Sequence, residues 1–185
     1  MPRYVRVMDG LKSNAGGFEY KLDEINIANK WDTSSLDPEK MGGFNFGTED
    51  KILRWLHRGD TIYDVIVPEG AELIEVDKEK GIYRANKIIV TNPKKITDDM
   101  IIDLYHKSTL CNKYLAQSFQ VLLWKNHLEA CKYIIKDKVN KSNIDEIFKE
   151  YVEYAKNGDP NYDFSVGMTG EIYKMLLDIK TNNDI

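Results

Sequence analysis

Three short stretches carry residue types that could do chemistry. In "RYVRVMD", Arg6 sits mid-strand, where an arginine serves either as an exposed cross-strand partner or as an anion clamp. A guanidinium can grip phosphate through two parallel N–H donors. Arg3 lies nearer the chain end and is the weaker candidate. The second stretch is "GGFNFGTEDKILRWL", Gly42 to Leu56. Phe44 and Phe46 share one strand face by period-two alternation, and Thr48 is placed to cap a helix beginning at Glu49, whose first acids suit the positive end of the helix dipole. A packed strand–turn–helix explains the aromatics and the cap. It explains Gly43 and Gly47 less well, because glycine weakens a strand unless something approaches the backbone closely. A flat ligand on that backbone is one such reason, and main-chain N–H groups at the helix start could bind a phosphate or amide. The third stretch, "IYRANKIIVTNP", is either an interior strand with a polar start or a strand end presenting Arg84, Asn86 and Lys87 to a ligand.

These stretches need elements to position them. "RYVRVMD" alternates as a first strand, and "GLKSNAGGFEY" reads as a turn in which Asn14 and two glycines can take positive φ. "KLDEINIANKWD" is a short strand or one helical turn, and "TSSLDPEKMGG" a polar loop with a sharp bend at Gly42-Gly43. The helix after Thr48 closes with Gly59 at its C′ position. "TIYDVIVPEG", "AELIEVD" and "IYRANKIIVTN" are three strands expected to lie adjacent and antiparallel, with Gly81 in the "KEKG" turn. Near Thr97 the character changes to helical periodicity. Thr97 caps "TDDMIIDLYHKS", and "CNKYLAQSFQVLLWKNHLEACKYIIKDKV" is one long helix or two. A helix capped by Ser142 or Asn143 and closed by Gly158 follows, then a last one over "VGMTGEIYKMLLDIK", with "TNNDI" as a frayed end. The expected fold is α+β: a β-rich region over 1–97 with antiparallel strands, packed against a region of four or five helices over 98–185, in one continuous core or two.

Composition excludes several classes. The 185 residues are 42% hydrophobic, enough for a real core. The net charge is −4, with 15 basic and 16 acidic residues up to Thr97 and 11 and 14 beyond it, so nucleic-acid binding by phosphate neutralisation is disfavoured. A nuclease would need a localised basic groove that this balance does not suggest. Cys111 and Cys131 fit no zinc spacing and read as reduced thiols facing a helical core. His57, His106 and His127 read as helix-surface or cap residues. There is no phosphate-binding loop, dinucleotide-binding glycine fingerprint, His-Glu-x-x-His or nucleophile elbow. The N-terminus has no apolar h-region and no stretch approaches a spanning helix, so a cytoplasmic location is expected.

"GGFNFGTEDKILRWL" resembles the second signature of the ADP-ribosyltransferase superfamily, a Gly-aromatic-x-aromatic strand ending in a small residue and Ser/Thr before a helix. "YVRVMDG" looks like its first signature, a strand whose Arg or His contacts NAD. Residues 3–92 are also similar to a compact domain of phage and prophage proteins. The resemblance implies that Arg6 contacts the NAD phosphate or ribose, that Thr48 stabilises the site, and that Phe44, Phe46 and Gly43 shape the nicotinamide pocket. NAD would then be a substrate, with ADP-ribose passed to a macromolecular target, as suits a phage effector or bacterial toxin. The family's catalytic glutamate holds the ribose hydroxyl on a later strand. The strand in that place, "IYRANKIIV", has no acid. Glu69, Glu72 and Glu75 lie nearest, Glu72 and Glu75 on opposite strand faces, and Glu72 is the candidate acid. The alternative is a non-catalytic protein-interaction protein with a degenerate transferase-like fold, acting through a protein partner. A cleft filled by side chains and free of acids would favour it.

Overall fold

Alternation in the first strand turns Tyr4, Arg6 and Met8 to one face of β1 (Tyr4–Met8) and the valines to the other. The computed structural model describes residues 2–13 and 17–182 of an α+β protein. Asn14 and the first glycine of the expected turn, Gly16, lie outside the described residues, while Gly17 has a positive φ of 64°. The strands that follow are β2 (Ile25–Ile27), β3 (Phe44–Thr48), β4 (Thr61–Ile66), β5 (Leu73–Asp77), β6 (Ile82–Ala85) and β7 (Lys87–Lys95). They form one antiparallel sheet in the order β2-β7-β4-β1-β3-β6-β5. β5 and β6 pair as expected around Gly81 (φ 63°), but β4 lies between β1 and β7.

The expected third strand breaks at Asn86. Its first part, β6, pairs with β3 and β5, and its second, β7, pairs with β4 and β2. The two flanks of the sheet are therefore joined through one continuous segment of chain, and the sheet rolls around its core. Inside are Met8, Tyr20, Phe44, Phe46, Tyr63, Val65, Ala85, Ile88 and Val90. The joint is tied by backbone. The Asn86 N–H donates to the Glu72 carbonyl at 3.2 Å, and its carbonyl accepts from Ala28 N–H at 2.9 Å.

Several connections differ from expectation. The polar loop contains one turn of helix, α1 (Pro38–Met41). The segment after Thr48 is a 3-10 helix, Glu49–Arg58, and the Thr48 side chain does not cap it. Thr48 remains part of the sheet, opposite Tyr4, and the Glu49 N–H donates to the Arg3 carbonyl at 2.9 Å. Gly59 ends this helix in extended backbone (φ 175°), not in a left-handed cap. A side chain there would strike Met8, with a Cβ only 2.1 Å from its carbonyl carbon.

Residues Met1–Ile52 and Arg58–Ile96 make one compact unit, and Leu53–His57 with Thr97–Ile185 make the other. The second unit contains α2 (Asp98–Lys107), α3 (Asn112–Trp124), α4 (Leu128–Lys138), α5 (Ile144–Asn157), a 3-10 turn (Ser165–Met168) and α6 (Gly170–Thr181). Thr97 caps α2 as its sequence suggests, accepting from Met100 N–H at 3.3 Å. The long candidate helix is two, broken at Asn126 (φ 62°). α3 is buried without interruption from Tyr114 to Leu122, and it packs against both α4 and α5. The expected cap of α5 is absent: the Asn143 Oδ1 accepts from Asn140 N–H instead. Gly158 ends α5 with an ordinary negative φ of −67°.

The cysteines differ from the common role expected. Cys131 is buried in α4, and burial raises its thiol pKa, whereas Cys111 is exposed at the start of α3. Thiolate is the reactive form, so an exposed thiol reacts first. We expect one thiol per chain to react with an aromatic disulfide in native buffer and two in denaturant. Cys111→Ser should abolish the native reaction, and rapid labelling of that variant would contradict the buried placement of Cys131. A second expectation concerns Gly43, whose φ is 75° and whose added Cβ would lie 2.5 Å from the Trp31 ring. Gly43→Ala should cost roughly 2–4 kcal/mol in urea denaturation, from strained backbone plus overpacking. Gly70→Ala, at φ 73° in open space, should cost only about 1 kcal/mol.

Candidate functional site

The candidate residues divide between two places on the sheet. The first centres on Arg6. Beyond the Val5–Gly47 pair, no further β1–β3 register pair follows, and the Arg6 side chain serves the backbone there. Its Nη1 donates to the Asn45 carbonyl, and its Nη2 lies 3.4 Å from Ser13 Oγ. The guanidinium sits 5.1 Å from the centre of the Tyr20 ring, a cation–π contact. Its Nε is buried and, among the described residues, donates to nothing and has no ion-pair partner. Burial lowers its pKa, opposed by Tyr20 and assisted by the charge of Arg58. Arginine's intrinsic pKa is high enough for the charge to persist. Arg84 is nearby: burial and then the charge of Arg6 lower its pKa, and its Nη1 donates to the Gly42 carbonyl.

The second place is the corner around Glu72. The Trp31 indole covers Gly43 so closely that only glycine fits, and its Nε1 donates to Glu72 Oε2 at 3.1 Å. Glu72 N–H donates to Asn86 Oδ1 at 2.8 Å, and the Asn86 amide lies 3.5 Å from the other Glu72 carboxylate oxygen. The flat group over the Gly43 backbone is thus the protein's own Trp31. Pairing of Leu73 with Ala85 puts Glu72 on the face of Arg84 and Asn45, opposite the face of Phe46 and Tyr83. Glu75, of the other parity, accepts from the Tyr83 hydroxyl.

Phe44 and Phe46 are each only 4% exposed. Phe44 contacts the rings of Phe18 and Tyr20 at 4.9 and 5.4 Å, and Phe46 contacts Tyr4 at 5.2 Å. They fill the core beside Arg6. Thr48 is buried at the other end of β3, where its Oγ1 would be 2.6 Å from a Cβ on Gly81. The structure therefore brings Arg6 near Tyr20 and Arg84, brings Glu72 near Gly43, Trp31 and Asn86, and leaves Thr48 at the far end of its strand. Trp31 and Tyr20 escaped the sequence reading. For Trp31 there was one signal, a large aromatic at the end of "KLDEINIANKWD" with polar residues on both sides.

The three histidines lie in different settings. His57 is 4% exposed, against the surface or cap role expected. It packs against Tyr162 at 4.6 Å between ring centres, with Asp159 3.8 Å away. His127 contacts Asp98 at 2.6 Å, at the start of α4, while His106 is exposed at the end of α2. Among the described residues, no group of three or more His, Cys, Asp or Glu could hold a metal, and no helix is long and apolar enough to cross a membrane. The chain matches no family model, no curated protein and no solved structure.

The Tyr83–Glu75 bond gives a pH test. That bond, then burial, raises the Tyr83 pKa from 10.0 to about 12. A raised folded-state value means that stability is present below the unfolded value near 10 and is lost as pH climbs through 12. Tyr83→Phe should be less stable than the parent at pH 9, and the gap between their urea midpoints should close by pH 12. A gap constant across that range would contradict the bond.

Proposed function

We propose that this protein works by binding, without catalysis, and that its β region has an ADP-ribosyltransferase-like arrangement whose nicotinamide pocket is filled from within. The observation that carries this reading is the burial of Phe44 and Phe46 against Tyr4, Phe18 and Tyr20, where a transferase would hold its ligand. Two others agree with it: Trp31 occupies the surface over Gly43, and Glu72 is engaged by Trp31 and Asn86 on the opposite sheet face. The partner is a protein. Charge balance disfavours nucleic acid, and Trp124 and Tyr133 are 39% and 41% exposed, where a partner could cover them. Such a protein suits a phage or other mobile element acting on its host by contact.

One observation favours the second reading, transfer of ADP-ribose from NAD. Among the described residues the buried Arg6 Nε has no acceptor, so phosphate would satisfy that donor. Calorimetry with NAD, together with an assay for released nicotinamide, separates the two. We expect no heat at millimolar NAD and no nicotinamide. Saturable binding lost in Arg6→Ala, with nicotinamide release lost in Glu72→Gln, would establish the transferase instead.

A further inference from the structure

The two edges of the sheet are built differently. β5 carries Glu75 and Asp77 and a register irregularity between them, devices that blunt an edge against pairing. β2 is protected by shortness alone, with three residues and neither an acid nor a bulge. It presents Ile25 and Ile27, 53% and 62% exposed, and the outward positions hold no lysine or proline. Ile25 continues an apolar row across the sheet, pairing with Ile89, which pairs with Ile66, itself 50% exposed, whereas Ile27 pairs with Lys87. Asn26 between them points inward, 4% exposed, with its amide bonded to Lys21 and Glu24.

The backbone phase of this edge follows from one bond. Ala28 N–H donates to the Asn86 carbonyl at 2.9 Å, so the peptide groups of Asn26 and Ala28 face β7. Those of Ile25 and Ile27 then face away from the sheet, where no described strand pairs with them.

We infer that β2 pairs with β2 of a second copy of this chain, antiparallel, with a two-fold axis through Asn26. The sequence Ile-Asn-Ile reads the same in both directions, so the axis sets Ile25 opposite Ile27 of the second copy, twice. These are the residues whose peptide groups point outward, and each couple exchanges both backbone hydrogen bonds. The apolar row of each copy, Ile66, Ile89 and Ile25, then ends on Ile27 of the other, and the two-fold repeats this contact, as a self-complementary dimer face requires. Charge agrees with this register. If the ladder continues past Ile27, exposed Glu24 stands opposite Ala28 and diagonal to Lys30 of the second copy. A parallel pairing would instead set Glu24 beside Glu24 and Lys30 beside Lys30. The dimer does not depend on either reading of the β region's activity.

Sedimentation equilibrium on the full chain, from low micromolar to submillimolar concentration, tests the assembly. The mass should rise from 21.4 kDa toward twice that value, and Ile25→Lys/Ile27→Lys should stay at 21.4 kDa. Wild-type protein that remains monomeric throughout would overturn the dimer, as would a dimer unaffected by the double substitution. Register is tested separately by cysteine pairs in a Cys111→Ser background. Ile25→Cys mixed with Ile27→Cys should give a disulfide-linked dimer on mild oxidation, since paired Cα atoms lie about 5.5 Å apart. Ile27→Cys alone should not, because its two copies would be about 8–9 Å apart. Equal cross-linking by the single variant and the mixture would overturn this register.

Discussion

The sheet depends on one run of chain serving both of its flanks. From Ile82 to Ala85 that run belongs with β3 and β5, and from Lys87 to Lys95 it belongs with β4 and β2. Only Asn86 separates the two parts, so the whole change of direction falls on one residue. Its backbone bonds Glu72 on one side and Ala28 on the other, and its side chain takes a further bond from Glu72. A buried peptide group left unpaired would cost about 1–3 kcal/mol. The joint is therefore stable because every group exposed by the bend finds an acceptor or donor in the entries to β5 and the exit from β2. The rolled core follows: Ala85 and Ile88, on either side of the bend, both point inward and are wholly buried.

This closure also explains how the region treats its own concavities. Phe18, Tyr20 and Phe44 fill the space beside Arg6, and Trp31 lies flat on the Gly43 turn. Side chains that a ligand-binding sheet would hold apart are in van der Waals contact. The strongest polar feature left is the Arg6 guanidinium, which replaces a β1 peptide group as the donor to Asn45. Here an arginine serves first as a piece of the hydrogen-bond ladder.

Local signals were legible where the physics is local. Thr97 with two acids behind it predicts a capped helix and makes one, and the β5–β6 hairpin follows from alternation and the glycine of its turn. What could not be read depends on residues distant in the chain. Gly43 is fixed by Trp31 and Gly59 by Met8, so in each case the reason for glycine lies in another element. Thr48 has the right type for a cap but stays in the sheet, where Tyr4 is its partner. The break at Asn86 leaves no mark in "YRANKIIV", whose alternation reads equally well as one strand. At the candidate site the residue types were legible, but which face each occupied was not. Parity separates Glu72 from Glu75, yet only the register with β6 says which of them turns away from the Phe46 side.

The short segment Leu53–His57 belongs with the helices, although sheet strands precede and follow it. Arg54 stacks on Tyr114 at 4.6 Å and bonds Gln117, and His57 packs against Tyr162 and Phe164. On the ribosome, which delivers the chain from its N-terminus, this piece emerges well before its partners. The strand-rich unit has all its residues once Ile96 has been made. Arg54 and His57 then wait for their partners on α3 and at residues 162–164, and Leu53 and Leu56, buried beside them, for the rest of the helical unit. A nascent chain paused between those points displays an apolar stripe that the finished protein hides, and a chaperone would find its foothold there.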